Sequence, residues 1–123
     1  MNNIEVGEYY RTKKGYIHKI IKIYKDNKPN SDKYIKIKVE DNNYAFFLDI
    51  TSVVNHSKNI IDLIEVGDYV NGFKVDVDFL INELVINVYY EDDDKEWQNI
   101  KDIEIKSIVT KQQFKAIEYK IEG

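Results

Sequence analysis

The chain of 123 residues has no cysteine, which removes disulfides, thiolate nucleophiles and cysteine-type zinc sites together. Histidine occurs only at His18 and His56, in different contexts, and no further ligands stand near either at the spacing a zinc site needs. There is no Gly-x-Ser-x-Gly elbow and no glycine-rich loop of the kind that cradles phosphate. No apolar run reaches the roughly eighteen residues of a membrane-crossing helix. The start, Met1-Asn2-Asn3-Ile4-Glu5, lacks the basic and apolar regions of a secretory signal. These absences lead to the expectation of a cytoplasmic, cofactor-free and metal-free protein that binds rather than catalyses.

What is present is skewed. Isoleucine, lysine and asparagine fill 48 of the 123 positions, against a single arginine, Arg11. All three have AT-rich codons, so the skew reads as the mark of a low-GC bacterial genome or a mobile element within one. The net charge of −4 conceals a dipole: residues 1–40 carry a net +5, residues 41–104 a net −11, and the remainder +2. Such a field steers partners more than it shapes a fold.

A short phrase occurs twice. Ile4-Glu5-Val6-Gly7-Glu8-Tyr9-Tyr10 returns as Ile64-Glu65-Val66-Gly67-Asp68-Tyr69-Val70, and another glycine follows each copy. Recurrence at about half the chain length implies two similar units, expected over residues 1–60 and 61–123 of one compact domain.

Apolar residues alternate with period two in several segments. Ile35, Ile37 and Val39 oppose Lys36, Lys38 and Glu40; Phe73, Val75, Val77 and Phe79 oppose Lys74, Asp76 and Asp78; Leu84, Ile86, Val88 and Tyr90 form a third face. This is the pattern of half-buried antiparallel strands. Asn71-Gly72 ahead of such a strand is a strong hairpin signal, and Lys14-Gly15 takes the same part in the first copy. Polar turns are expected at 26–32 and 41–43 and a loop end at 91–94. Ile17, Ile20, Ile21 and Tyr24 sit at helical spacing, but their β-branching favours a bulged strand. Thr110 heads a run of helix formers and predicts a short capped helical turn; a similar turn is expected within 49–57.

The expected fold class is therefore all-β, mainly antiparallel, with one or two short helical turns. Each half, read as strand, glycine turn, long strand, further strands, helical turn and closing strand, resembles a small SH3-like barrel. A single β-sandwich is the alternative. Neither fold implies an activity.

Two surfaces are candidates for function. The acidic one gathers Asp76, Asp78, Glu91, Asp92, Asp93, Asp94 and Glu96 around Trp97, with Tyr89 and Tyr90 just before. Acidic groups about an exposed aromatic suit docking onto a basic partner, charge giving orientation and the ring an anchor. The bland reading is that Trp97 caps the core and the acids are simply solvated. The basic surface gathers Arg11, Lys13, Lys14, Lys19, Lys22, Lys36 and Lys38 among Tyr9, Tyr10, Tyr16 and Tyr34. Lysines neutralise phosphate and tyrosines stack on bases, the combination small barrels use for single strands. Net negative charge and the dearth of arginine weigh against it.

The phrases Ile64 to Gly72 and Ile105 to Phe114, with Glu118-Tyr119-Lys120-Ile121, are similar to small accessory proteins of phages and prophages in low-GC Firmicutes. The resemblance covers mainly the second half and the N-terminal start, and no site residues transfer with it. It implies expression in the host cytoplasm and, for a small protein without catalytic motifs, inhibition of a host defence complex in the manner of anti-CRISPR proteins. A barrel that binds nucleic acid through its basic N-terminal strands is the competing expectation.

Overall fold

The computed structural model describes residues 4–24, 33–89 and 95–115. Among the described residues ten strands fall into two sets of five. The first set is β1 (Tyr9–Thr12), β2 (Ile17–Tyr24), β3 (Tyr34–Val39), β4 (Phe46–Asp49) and β5 (Val53–Ser57). The second is β6 (Tyr69–Val70), β7 (Phe73–Asp78), β8 (Glu83–Tyr89), β9 (Lys95–Asn99) and β10 (Ile108–Val109). The sheets run β4-β3-β2-β1-β5 and β10-β6-β7-β8-β9, and all their pairings are antiparallel. Read from its own first strand, each set has the same path. Four strands meander, and the fifth returns to pair with the first, which is the strand order of an SH3-like barrel left as an open sheet. The chain divides into compact units at 1–63 and 64–123.

Each repeated phrase builds the same turn. Gly7 and Gly67 take φ of +93° and +96°, a conformation that disfavours any side chain. Glu8 N–H donates to the Glu5 carbonyl at 3.1 Å, and Asp68 N–H to the Glu65 carbonyl at 3.1 Å. The Glu8 carboxylate accepts from Glu5 N–H at 2.7 Å, and the Asp68 carboxylate from Glu65 N–H at 2.8 Å. The glycine N–H groups then donate to the carbonyls of Ile20 on β2 and Val75 on β7 at 2.8 and 3.0 Å. Four polar groups are thereby satisfied inside one short turn.

The two hairpins that follow differ. Asn71 and Gly72 both have positive φ, +53° and +86°, as a two-residue type I′ turn between β6 and β7 requires. Asn71 Oδ1 accepts from Lys106 and Ser107 N–H, and its Nδ2 donates to the Glu104 carbonyl, which ties the approach to β10 back to this turn. In the first unit the loop is longer, closed by Gly15 N–H to the Thr12 carbonyl and Thr12 N–H to the Tyr16 carbonyl.

The long strand β2 pairs with β1 through Ile17–Lys19 and with β3 through Ile20–Tyr24, and its register slips between Ile20 and Lys22. The extra residue reads as a bulge, so the helical spacing of its isoleucines is the footprint of a bent strand. The core of the first unit is Tyr10, Ile20, Ile37, Val39, Leu48 and Val53, with Ile4, Ile23, Ile35 and Phe46 packed against it. Burial pushes the Tyr10 phenol up to about 12, so it stays neutral. In the second unit Ile64, Val70, Val75, Val85, Ile86 and Ile100 are buried.

A 3-10 turn follows the fourth strand in each unit, Ile50–Ser52 and Ile100–Asp102. Asp49 caps the first by accepting from Thr51 N–H, and Asn99 the second by accepting from Lys101 N–H. The helical turn expected near Thr110 spans 111–115. Thr110 Oγ1 accepts from Gln113 N–H while Gln113 Oε1 accepts from Thr110 N–H, a reciprocal capping box.

The period-two reading needs two corrections. Phe79 does not continue the inward row of β7: that strand ends at Asp78, and Phe79 stands in the turn to β8. Val85, which the alternation places opposite the Leu84–Ile86 face, is buried although it lies opposite Asp76 on the outer face. The expected turn at 26–32 and the loop end at 91–94 lie outside the described residues. Among the described residues no helix is long and apolar enough to cross a membrane.

Candidate interaction surfaces

The basic candidates separate by position. Arg11 is fully buried; its Nη1 donates to the Leu63 carbonyl at 2.9 Å, beneath the 3-10 turn Ile60–Leu63. A guanidinium with no exposed surface cannot meet phosphate, so Arg11 leaves the basic set and acts as a structural tie. Tyr10 is likewise a core residue rather than a stacking platform. Lys13 and Lys14 stand exposed in the β1–β2 loop beside Tyr16, and Lys19 lies over Tyr9 on β2, its Nζ 5.7 Å from the ring centroid.

The remaining lysines share the outer face of β2, β3 and β4. Ile23, Ile35 and Ile37 point to the core, so Lys22, Tyr24, Lys36 and Lys38 point away from it. Register sets Lys22 opposite Lys38, and Tyr24 opposite Lys36, which in turn faces Phe47. Lys22 Nζ lies 4.6 Å and Lys36 Nζ 5.4 Å from the Tyr24 centroid, and Lys36 Nζ lies 5.8 Å from that of Phe47. Tyr34 carries Lys33 over its ring at 5.4 Å, and Lys33 also pairs with Asp49 at 3.4 Å. Tyr24 and Phe47 were not in the sequence-derived set. Their signal was the alternation Ile23-Tyr24 and Phe46-Phe47-Leu48, too short to orient without the register.

The acidic candidates also separate. Asp76 and Asp78 lie on the outer face of β7. Trp97 is 59% exposed and stands opposite Asn87 on the outer face of β9, so it does not cap the core. Glu96, one residue earlier, points to the other side of the sheet and does not share that patch. Glu91, Asp92, Asp93 and Asp94 lie outside the described residues. A groove of about 490 Å3 is lined by Val66, Phe73, Lys74, Asp76, Asn87 and Trp97 among others. A second, of about 390 Å3, shares Asp76 and Trp97 and continues to Asp78, Phe79 and Leu80.

Sequence reasoning missed the tip of the β7–β8 hairpin. Phe79, Leu80 and Ile81 are 85%, 96% and 57% exposed, three large apolar side chains in succession. The turn is held by Asp78 Oδ1, which accepts from Leu80 N–H at 3.0 Å, and by Asn82 at φ +54°. The signal was present: Asp78 and Asn82 are turn residues, and Leu80-Ile81 breaks the period-two pattern.

The histidines have structural surroundings. His56 Nδ1 lies 3.1 and 3.2 Å from the two Glu8 carboxylate oxygens, linking β5 to the start of β1. Burial raises the Glu8 pKa, but the Glu5 N–H bond, the His56 bond and charge, and Lys58 outweigh it, so the net shift is downward. Asp68 occupies the same place in the second copy and there caps backbone, accepting from Lys111 N–H at 2.9 Å. That equivalence makes the Glu8–His56 pair a strand tie. His18 is half-buried and stacked near Tyr16, and burial lowers its pKa against a smaller opposing effect of Asp41. Among the described residues no group of three histidines or carboxylates is placed to hold a metal ion.

Comparison with protein-family models, with curated proteins and with solved structures finds no match to this chain.

Proposed function

We propose that this protein is a non-catalytic interaction protein of phage type, acting in the bacterial cytoplasm by docking onto a host defence complex and blocking it. The observation that carries the reading is the β7–β8 tip. Three successive large apolar side chains held in water forgo about 1.5–3 kcal/mol each relative to burial, and such exposure on a soluble surface marks a contact site. Asp76, Asp78 and Trp97 adjoin the tip through the shared groove. An aromatic and aliphatic anchor with an acidic rim complements a basic protein surface of the kind found on nucleic-acid-handling complexes. The phage-protein resemblance supplies the context for such a partner.

The test compares the tagged wild-type chain with Leu80→Asp as bait in host lysate, followed by mass spectrometry and an interference assay. Wild type is expected to retain a basic defence component and to relieve interference, and Leu80→Asp to do neither. If both baits retain the same proteins, or interference is unaffected by either, the reading fails. Leu80 is almost wholly exposed, so the substitution leaves the core untouched.

A further inference from the structure

We propose that the outer face of β2–β3–β4 is a separate binding site for single-stranded nucleic acid, with Lys22, Lys36 and Lys38 on the phosphates and Phe47 and Tyr24 beneath the bases. The argument starts from a local cost. Lys22 and Lys38 are directly opposed across the β2–β3 ladder, and like charges in that position destabilise a sheet. Among the described residues none of Lys22, Lys36 and Lys38 is in an ion pair, while Lys33, Lys58, Lys101 and Lys111 are. An anionic ligand turns this repulsion into attraction.

The aromatic rings select which anion. Phe47 is about half exposed, and Tyr24 and Phe47 flank Lys36 in neighbouring strands. Lys36 and Lys38 project from the same face roughly 7 Å apart along β3. Cations repeating along a strand beside rings on the adjoining strands fit a chain that alternates phosphates with unstacked bases. A duplex buries its bases and cannot use the rings. An acidic peptide such as polyglutamate offers the charges but no aromatic rings to stack. This site lies within the first unit and shares no residue with the docking tip, so it goes beyond the proposed function.

The test is fluorescence anisotropy of the full-length chain with labelled oligothymidylate and oligouridylate, at low and moderate salt. A duplex of equal length and polyglutamate serve as competitors. Single strands are expected to bind with a log–log salt slope of about −2, from roughly −0.7 for each of three phosphate contacts. The charge reversal Lys22→Glu/Lys38→Glu is expected to weaken binding at least about tenfold, and Phe47→Ala at least about fivefold. Circular dichroism of each variant establishes that the sheet is retained; Phe47→Ala removes only an outward ring and keeps the test open if the double variant misfolds. Failure to bind, binding insensitive to salt, equal competition by duplex or polyglutamate, or unchanged affinity in folded variants would each overturn the proposal. The assay uses no protein partner, so its outcome is independent of the lysate experiment.

Discussion

The two halves of the chain share one construction and differ in what they present to solvent. The equivalence runs past the repeated phrase. Asp49 and Asn99 cap matching 3-10 turns, Ile50 and Ile100 begin them, and Phe47 and Trp97 stand two residues before the caps. Glu5 pairs with Lys58 at 3.5 Å, and Glu65 with Lys111 at 2.7 Å, each lysine just after its unit's last strand. Where Arg11 reaches the Leu63 carbonyl, Asn71 in the same place reaches the Glu104 carbonyl. On this common frame the balance of charge on the outer face differs: Lys22, Lys36 and Lys38 in one unit, Asp76 and Asp78 together with Lys74 in the other, each beside an exposed ring. Inward positions answer to packing and capping, which demand the same chemistry twice. Outward positions are free of that demand, and their divergence is where separate binding roles can reside.

The sharpest test of the shared frame is the carboxylate that follows the glycine in each copy, Glu8 and Asp68. Asp68 is fully buried and accepts from two backbone N–H groups, so Asp68→Ala is expected to cost about 3 kcal/mol by leaving buried donors unsatisfied. Glu8→Ala, whose carboxylate meets one backbone N–H and a partly solvated histidine, is expected to cost about 1–2 kcal/mol. Urea denaturation checks the order, and equal losses would break the claim that the second copy depends more on this residue.

A difference in pH response comes next. His18 has a folded pKa below its ordinary value of 6.5, so the unfolded chain binds more protons and stability falls as the pH drops below about 6.5. Glu8 is depressed from 4.5, so its contribution is intact above that value and is lost as the pH falls through its folded pKa. His18→Asn should therefore flatten the upper part of the acid limb and leave the lower part unchanged. Thermal melts across both windows measure this, and an unaltered upper limb would refute the assignment to His18.

The smallest expected effect probes the lysine-bearing face. Lys38→Glu converts an opposed like-charge pair with Lys22 into an attractive one and should raise stability by about 0.5 kcal/mol. The gain should shrink at high salt. A loss of stability would mean that the face is not strained as argued.

Much of the frame was legible because it is local. The positive-φ glycines, the Asn71-Gly72 hairpin, the bulged β2 and the Thr110 cap each follow from a few adjacent residues. What escaped was set by register and by distant contacts. Arg11 reads as surface charge until the 3-10 turn Ile60–Leu63 covers it, and Glu96 belongs with Trp97 in sequence but not across a pleat. The equivalence of Asp49 with Asn99 was masked because the offset between copies falls from 60 at Gly7 and Gly67 (67 − 7) to 50 at the caps (99 − 49). The apolar tip was absorbed into a strand because Phe79 happens to keep period two with Val77.

The return of β5 to β1 has a consequence for how the protein is made. The last pairing that completes the first unit, Tyr9 with Ser57, uses nothing beyond residue 63. Emerging from the ribosome, that unit can begin to close while the second copy of the phrase is still covered by the exit tunnel. By the time Ile64 to Val70 appear, the edge of β1 they could have mispaired with is already occupied. Order of synthesis thus guards a duplicated sequence against exchanging its own strands.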